Sequence, residues 1–155
     1  MPHLIREFTF GTDLAVHDFG PAGPYGHRQL VHGTGGGQVT GDRLNGKLMP
    51  PGGDWFLVGA DQGGRLDCRA NIKTHDDALI YVQYLGILVL TPDVAAMLEN
   101  RGTDSSAGEQ YFFTNPRLET GDERYAWVNQ TMFLAQGRIS PGPRVDYTVY
   151  RVTVG

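Results

Sequence analysis

The chain is poor in the features that would place it in several large protein classes. Cys68 is its one cysteine among 155 residues. No disulfide can form within the chain, and a reducing compartment, the cytoplasm, is expected. Lysine and arginine number 13 against 17 aspartates and glutamates, for a formal charge of −4, and the basic residues nowhere cluster. Nucleic acid, whose phosphates require a basic footprint, is therefore not an expected partner. No apolar run approaches the ~18 residues of a membrane span, so no membrane partner is expected. The first twenty residues lack a basic stretch followed by an apolar one, and secretion is not expected.

Recognisable catalytic signatures are equally sparse. Gly41-x-x-x-x-Gly46-Lys47 begins like a phosphate loop, but Leu48 replaces the magnesium-binding hydroxyl and Pro50-Pro51 blocks the helix that should follow. His3, His17, His27, His32 and His75 show no metal-ligand spacing. There is no Gly-x-Ser-x-Gly elbow, and Cys68 falls on the apolar side of its expected strand, where it is a poor nucleophile. No metal and no cofactor are expected.

Glycine is abundant, 22 of 155 residues, and is spread as punctuation between short β-rich runs. Between residues 65 and 74, Leu66, Cys68, Ala70 and Ile72 alternate with Asp67, Arg69, Asn71 and Lys73, the pattern of a strand with one apolar face. His75-Asp76-Asp77 suits a turn, and 78–90 returns as a long Ile-, Val- and Tyr-rich strand, which together predict a hairpin. Further strands are expected at 4–10, 27–32, 36–48, 55–58, 111–114, 125–135 and 145–154. The fold class is all-β, an antiparallel up-and-down β-barrel of about eight or more strands. One short helix accompanies it, and a single domain spans 1–155. The helix has marked ends: Thr91 to cap, Pro92 at the first position, Asp93 at the positive end and Gly102 as terminator. It either plugs one end of the barrel or, with the small polar stretch 103–108, acts as a lid.

Both tryptophans stand close to a hydrogen-bonding side chain. Asp54-Trp55 follows Pro50-Pro51-Gly52-Gly53, and Trp127 lies two residues before Asn129. Aromatic walls with a few polar anchors are how small-molecule pockets are built, although plain core packing is the commoner fate of an indole. Tyr81 and Tyr111 have the same two readings. Asp54 beside an indole, with no obvious cation, is expected to have its pKa raised by desolvation and to serve as general acid or base. The alternative is a turn aspartate that binds backbone N–H groups after Gly53.

Several segments, in order, resemble the uncharacterised family catalogued as domain of unknown function 3237. They are Gly36-Gly37 with Gly41 and Leu44-Asn45-Gly46; the Gly53-Asp54-Trp55 turn; Asp67-x-Arg69; and Thr74-x-Asp76-Asp77-Ala78-x-Ile80-Tyr81. Tyr111-Phe112 follows, then Glu119-Thr120-Gly121 and Arg124-Tyr125-Ala126-Trp127-Val128-Asn129. The resemblance implies a compact antiparallel β-barrel with a central cavity, often a homodimer, and mostly no assigned activity. Phe113 stands where the family usually has arginine and Leu118 where it usually has phenylalanine. If residue 113 faces the pocket, an anionic ligand loses that partner.

Parity puts Asp67 and Arg69 on one face, about 6.5–7 Å apart along the strand. It puts Tyr125, Trp127, Asn129 and Thr131 on another. Asp67 and Arg69 point either to solvent or into the lumen, and the resemblance favours the lumen, where Arg69 would hold Asp67 ionised as an orienting group. Glu119 is expected to pair with Arg124. Two functions fit. The first is a cofactor-independent acid/base enzyme (isomerase, cyclase, hydratase or lyase) for a small carbonyl-bearing or aromatic compound. It would use Asp54, Asp67 and Arg69 for catalysis and Trp55, Tyr81, Tyr111, Trp127 and Asn129 for binding. The second is a non-catalytic carrier with a lipocalin-like cavity. A ligand-free dimeric scaffold is the plain alternative.

Overall fold

The computed structural model describes residues 1–101 and 108–155. Ten antiparallel strands form one sheet: β1 (Pro2–Pro21), β2 (His27–Gly41), β3 (Gly46–Leu48), β4 (Gly53–Val58), β5 (Gly63–Thr74), β6 (Leu79–Val89), β7 (Phe112–Thr114), β8 (Arg117–Glu119), β9 (Phe133–Ser140) and β10 (Arg144–Val154). Going round, β1, β2, β4, β5, β6, β7, β9 and β10 each pair with the next. β10 returns to β1, paired from Pro2 opposite Val154 to Asp13 opposite Arg144 with one bulge between Arg6 and Phe8, and the barrel closes. This is the expected up-and-down order, with two short strands added. β3 lies end to end with β4 between β2 and β5, and β8 pairs with β6 beyond the end of β7.

Alternation along the strands decides what fills the barrel. On β5, Leu66, Cys68, Ile72 and Thr74 are buried while Arg65, Asp67, Arg69 and Lys73 are exposed; on β10, Val145, Tyr147 and Val149 are buried. One half of the interior is packed solid by residues such as Phe8, Val39, Leu44, Ile72, Ile80 and Val149. Each contributes about 1.5–3 kcal/mol by leaving water. The other half is ringed by aromatics and left partly open.

The β5–β6 hairpin forms as expected, turning at Asp77 with φ +68°. The helix forms as α1 (Pro92–Leu98), with the Thr91 hydroxyl accepting the Val94 N–H at 3.2 Å. It turns Val94, Met97 and Leu98 into the core. Gly102 and the stretch 103–107 lie outside the described residues.

Two expectations are corrected. Residues 125–135 are not one strand: Glu123–Gln130 winds into 3₁₀ turns, and β9 begins at Phe133. Local side chains divert the backbone. Asp122 accepts the Arg124 N–H at 2.9 Å, Asn129 bonds both the N–H and the carbonyl of Thr120, and the Thr131 hydroxyl donates to the Trp127 carbonyl. β1 runs far past the expected 4–10: its extension, Ala15–Pro21, pairs with His27–His32 and carries histidine, aspartate and glycine that mask any alternation. The expected strands 27–32 and 36–48 are instead divided as β2, which runs unbroken to Gly41, and β3, which begins at Gly46.

Candidate functional site

The open half of the barrel encloses a cavity of about 400 Å³. Its walls are aromatic and aliphatic. Phe10 stacks on Tyr147 with ring centroids 4.8 Å apart, and Tyr84 and Phe112 meet Tyr147 edge-on at 5.5 and 5.4 Å. Phe56, Leu66 and Leu88 complete one side, and Leu98 of α1 forms part of the wall. Glycine makes room for these rings. A Cβ at Gly64 would lie 2.3 Å from the Phe56 ring, and one at Gly137 2.7 Å from Phe112.

The cavity reaches the surface where β3 gives way to β4. Met49–Gly52 link the two strands and are held on β5, with Met49 N–H donating to the Asn71 carbonyl and the Asn71 amide to the Pro51 carbonyl. On the other side, the stretch 33–37 of β2 pairs with neither β3 nor β4. Gly33, Gly35 and Gly36 there are exposed and line the cavity without a side chain. Gly35 and Gly36 have φ of +76° and +70°, a conformation few other residues adopt.

Asp54 is set just inside this opening. It is 8% exposed, and Oδ1 accepts the backbone N–H of Asp67 at 2.9 Å. Burial pushes its carboxyl up to about 7. The Asp67 N–H and the Arg28 guanidinium pull the other way, and the Asp67 carboxylate adds to the rise. A carboxyl poised near neutrality can both give and take a proton. Asp54, Cys68 and Tyr84 stand opposite one another in a row across β4, β5 and β6. Burial pushes the Cys68 thiol up to about 12 and holds Tyr84 and Tyr147 well above the usual phenol range.

Of the other expected site residues Arg69 borders the cavity, and the rest are not gathered here. Asp67 and Arg69 face outward: parity keeps Cys68 inside and its neighbours out, and burying two ions would cost several kcal/mol each. Arg69 Nε donates to the Tyr81 hydroxyl at 3.0 Å on the outer surface. Trp55 follows the inward Asp54 and therefore turns out, 48% exposed, and Tyr111 is 59% exposed beside Phe113. Phe113 too lies outside the lumen, because its neighbour Phe112 is the buried one. Its replacement of arginine therefore leaves the lumen's charge untouched. Trp127 packs edge-on against Phe133, with the Arg43 guanidinium 3.7 Å over its ring. Asn129 is spent on Thr120. Arg124 joins Asp76 at 3.2 Å and Asp122 at 2.8 Å, while Glu119 pairs with Arg117 instead. With the Tyr125 hydroxyl donating to Asp76 at 2.7 Å, these motif residues clamp the β5–β6 turn. The His17 and His32 rings stack at 5.1 Å, and no group of three or more metal-binding side chains occurs among the described residues.

Sequence reasoning missed Tyr84 and Tyr147. Strand alternation with Ile80 and Val82, and with Val145 and Val149, places both on the inner face.

Fold and cavity together define a small antiparallel barrel with an aromatic lumen and a buried carboxyl, that of Asp54, at its doorway. The chain belongs to the family described as "Protein of unknown function (DUF3237)", whose model matches residues 2–152. A UPF0311 protein of Bradyrhizobium diazoefficiens is 31% identical over 136 residues, 86% of this chain and 88% of that one. A β-barrel-like protein from Acinetobacter baumannii superposes with a TM-score of 0.83 at 28% identity, covering 99% of this chain and 97% of the other. An enzyme from Penicillium herquei covers 98% of this chain and 95% of its own with a TM-score of 0.66. At 18% identity that likeness is one of fold.

Proposed function

We propose that the protein is a cofactor-independent acid/base enzyme acting, as an isomerase, cyclase, hydratase or lyase would, on a small carbonyl-bearing or aromatic compound in the barrel cavity. The observation that carries this reading is Asp54: a carboxyl buried at the mouth of an apolar cavity, pushed up to about 7 and aimed by the Asp67 N–H. Such a group is matched to proton transfer near neutral pH, a contribution of about 10²–10⁴-fold in rate. That an enzyme from Penicillium herquei is built on the same fold is compatible with catalysis here. The largely apolar wall also suits a carrier, which would need no titrating group.

The test is to incubate the pure protein with a metabolite extract, identify by mass spectrometry what co-purifies, and assay its conversion by the native protein and by Asp54→Asn. Conversion that collapses in the variant supports the enzyme; a ligand retained unchanged by both supports the carrier. We also propose a homodimer in the cytoplasm. Trp55, Leu85, Ile87 and Tyr111 form an exposed apolar outer face that a second copy could cover. No helix among the described residues is long and apolar enough to cross a membrane.

A further inference from the structure

Tyr84 and Tyr147 are buried phenols on the cavity wall, and the acid/base reading gives them no task. Both rings are fixed: Tyr147 is stacked on Phe10 and met edge-on by Tyr84 and Phe112. Their rings meet edge-on at 5.5 Å, and Tyr84 stands directly across from Cys68 on the β5–β6 ladder. Two phenols carry two O–H donors. When one donates to the other, the second proton is left with the Cys68 sulfur, a weak acceptor, or with whatever occupies the lumen. Burial keeps both hydroxyls protonated at any working pH, so they remain donors.

Charge on the lining narrows the guest. Arg69 and His32 are its basic members among the described residues, and neither offers its charge to the lumen. Arg69 is exposed and bonds Tyr81, while His32 has Nε2 3.0 Å from that of His17 and Nδ1 3.0 Å from the Gly33 carbonyl. An anion inside would meet the Asp54 carboxyl with no cation of the lining directed at it, and its desolvation would go uncompensated. A neutral ring meets aromatic faces on several sides. A volume of about 400 Å³ is in the range of small-molecule pockets.

We propose that Tyr84 and Tyr147 form a two-phenol donor site that holds the hydroxyl or carbonyl oxygen of a neutral aromatic compound entering past Gly33–Gly37. This rests on the lumen being the substrate site and names the substrate's class. Asp54 and Tyr84 stand on one wall with Cys68 between them, their main chains two strand spacings, about 10 Å, apart. A compound with its oxygen on the phenols therefore lies along the wall that carries the Asp54 carboxyl. Where the chemistry builds negative charge on that oxygen, the same O–H groups stabilise it.

The experiment measures binding of three probes, 2-naphthol, 2-naphthoate and naphthalene, by calorimetry or fluorescence at a pH where naphthol is neutral and naphthoate ionised. The native protein, Tyr84→Phe and Tyr147→Phe are compared, with circular dichroism to show that each variant is folded. Naphthol is expected to bind, naphthoate at least about tenfold more weakly. Loss of either hydroxyl is expected to weaken naphthol by about 3–10-fold while leaving naphthalene unchanged, which a merely structural role would not do. The proposal is overturned if both variants bind naphthol like the native protein, if naphthalene weakens equally, if naphthoate binds as well as naphthol, or if no probe binds. Probe affinity reads the phenols and turnover in Asp54→Asn reads the carboxyl, so either can fail without the other.

Discussion

The Asp54 carboxylate accepts the backbone N–H of Asp67 while the Asp67 side chain, one residue along from the buried Cys68, points to solvent on the far side of the barrel wall. Of the two aspartates, one is in the lumen and the other orients it through the main chain alone.

That arrangement makes stability depend on pH in an unusual direction. The Asp54 carboxyl ionises near 3.8 when exposed and near 7 when folded, so over this window the unfolded chain holds fewer protons and stability falls as pH rises. The full loss is about 4 kcal/mol, complete above about pH 7. Urea unfolding from about pH 4 to about pH 8 should show that slope in the native protein and not in Asp54→Asn.

Replacing the outward pair should do little. Asp67→Asn leaves the N–H to Asp54 in place, and Arg69→Ala removes one exposed bond to Tyr81. Each is expected to change stability by less than about 0.5 kcal/mol and to leave ligand affinity unaltered. A tenfold loss of affinity in either, measured with any ligand of the lumen, would contradict their outward placement.

Cys68 should resist thiol reagents. Buried and pushed up to about 12, it has almost no thiolate near neutral pH. Labelling with a chromogenic disulfide is expected to be negligible in the native protein and rapid once denaturant unfolds it.

Glycines that seat the rings should not tolerate a methyl group. Gly64→Ala and Gly137→Ala press on Phe56 and Phe112, and each is expected to lower stability by about 1–3 kcal/mol. Thermal unfolding would register this directly. The Thr91→Ala cap variant, by contrast, should lose about 0.5–2 kcal/mol without affecting the lumen.

Alternation on β5 and β6, and the Thr91-Pro92 start of α1, were legible in the sequence because local chemistry and tertiary placement agree there. Asp54 was legible for the same reason: a carboxyl between glycine and indole with no nearby cation. The segment from Tyr125 to Asn129 was not. Its alternation mimics a strand, while the bonds that bend it involve Asp122, Thr120 and the distant Asp76. Trp55 and Tyr111 misled because aromatic character says nothing about which side of a wall a residue occupies; that is fixed by parity with Asp54 and Phe112. Tyr84 and Tyr147 come from strands far apart in sequence, and only closure of the barrel brings their rings together.

Closure has one more effect. With β10 bonded back to β1 as far as Asp13, the main-chain groups along that seam are matched to each other, while Ala15–Pro21 of β1 run on beyond β10 and pair with β2 alone. Over the closed part of the wall a partner could be read by side chains alone, so point changes on the outer surface can alter what the barrel meets while the chamber within stays as it is.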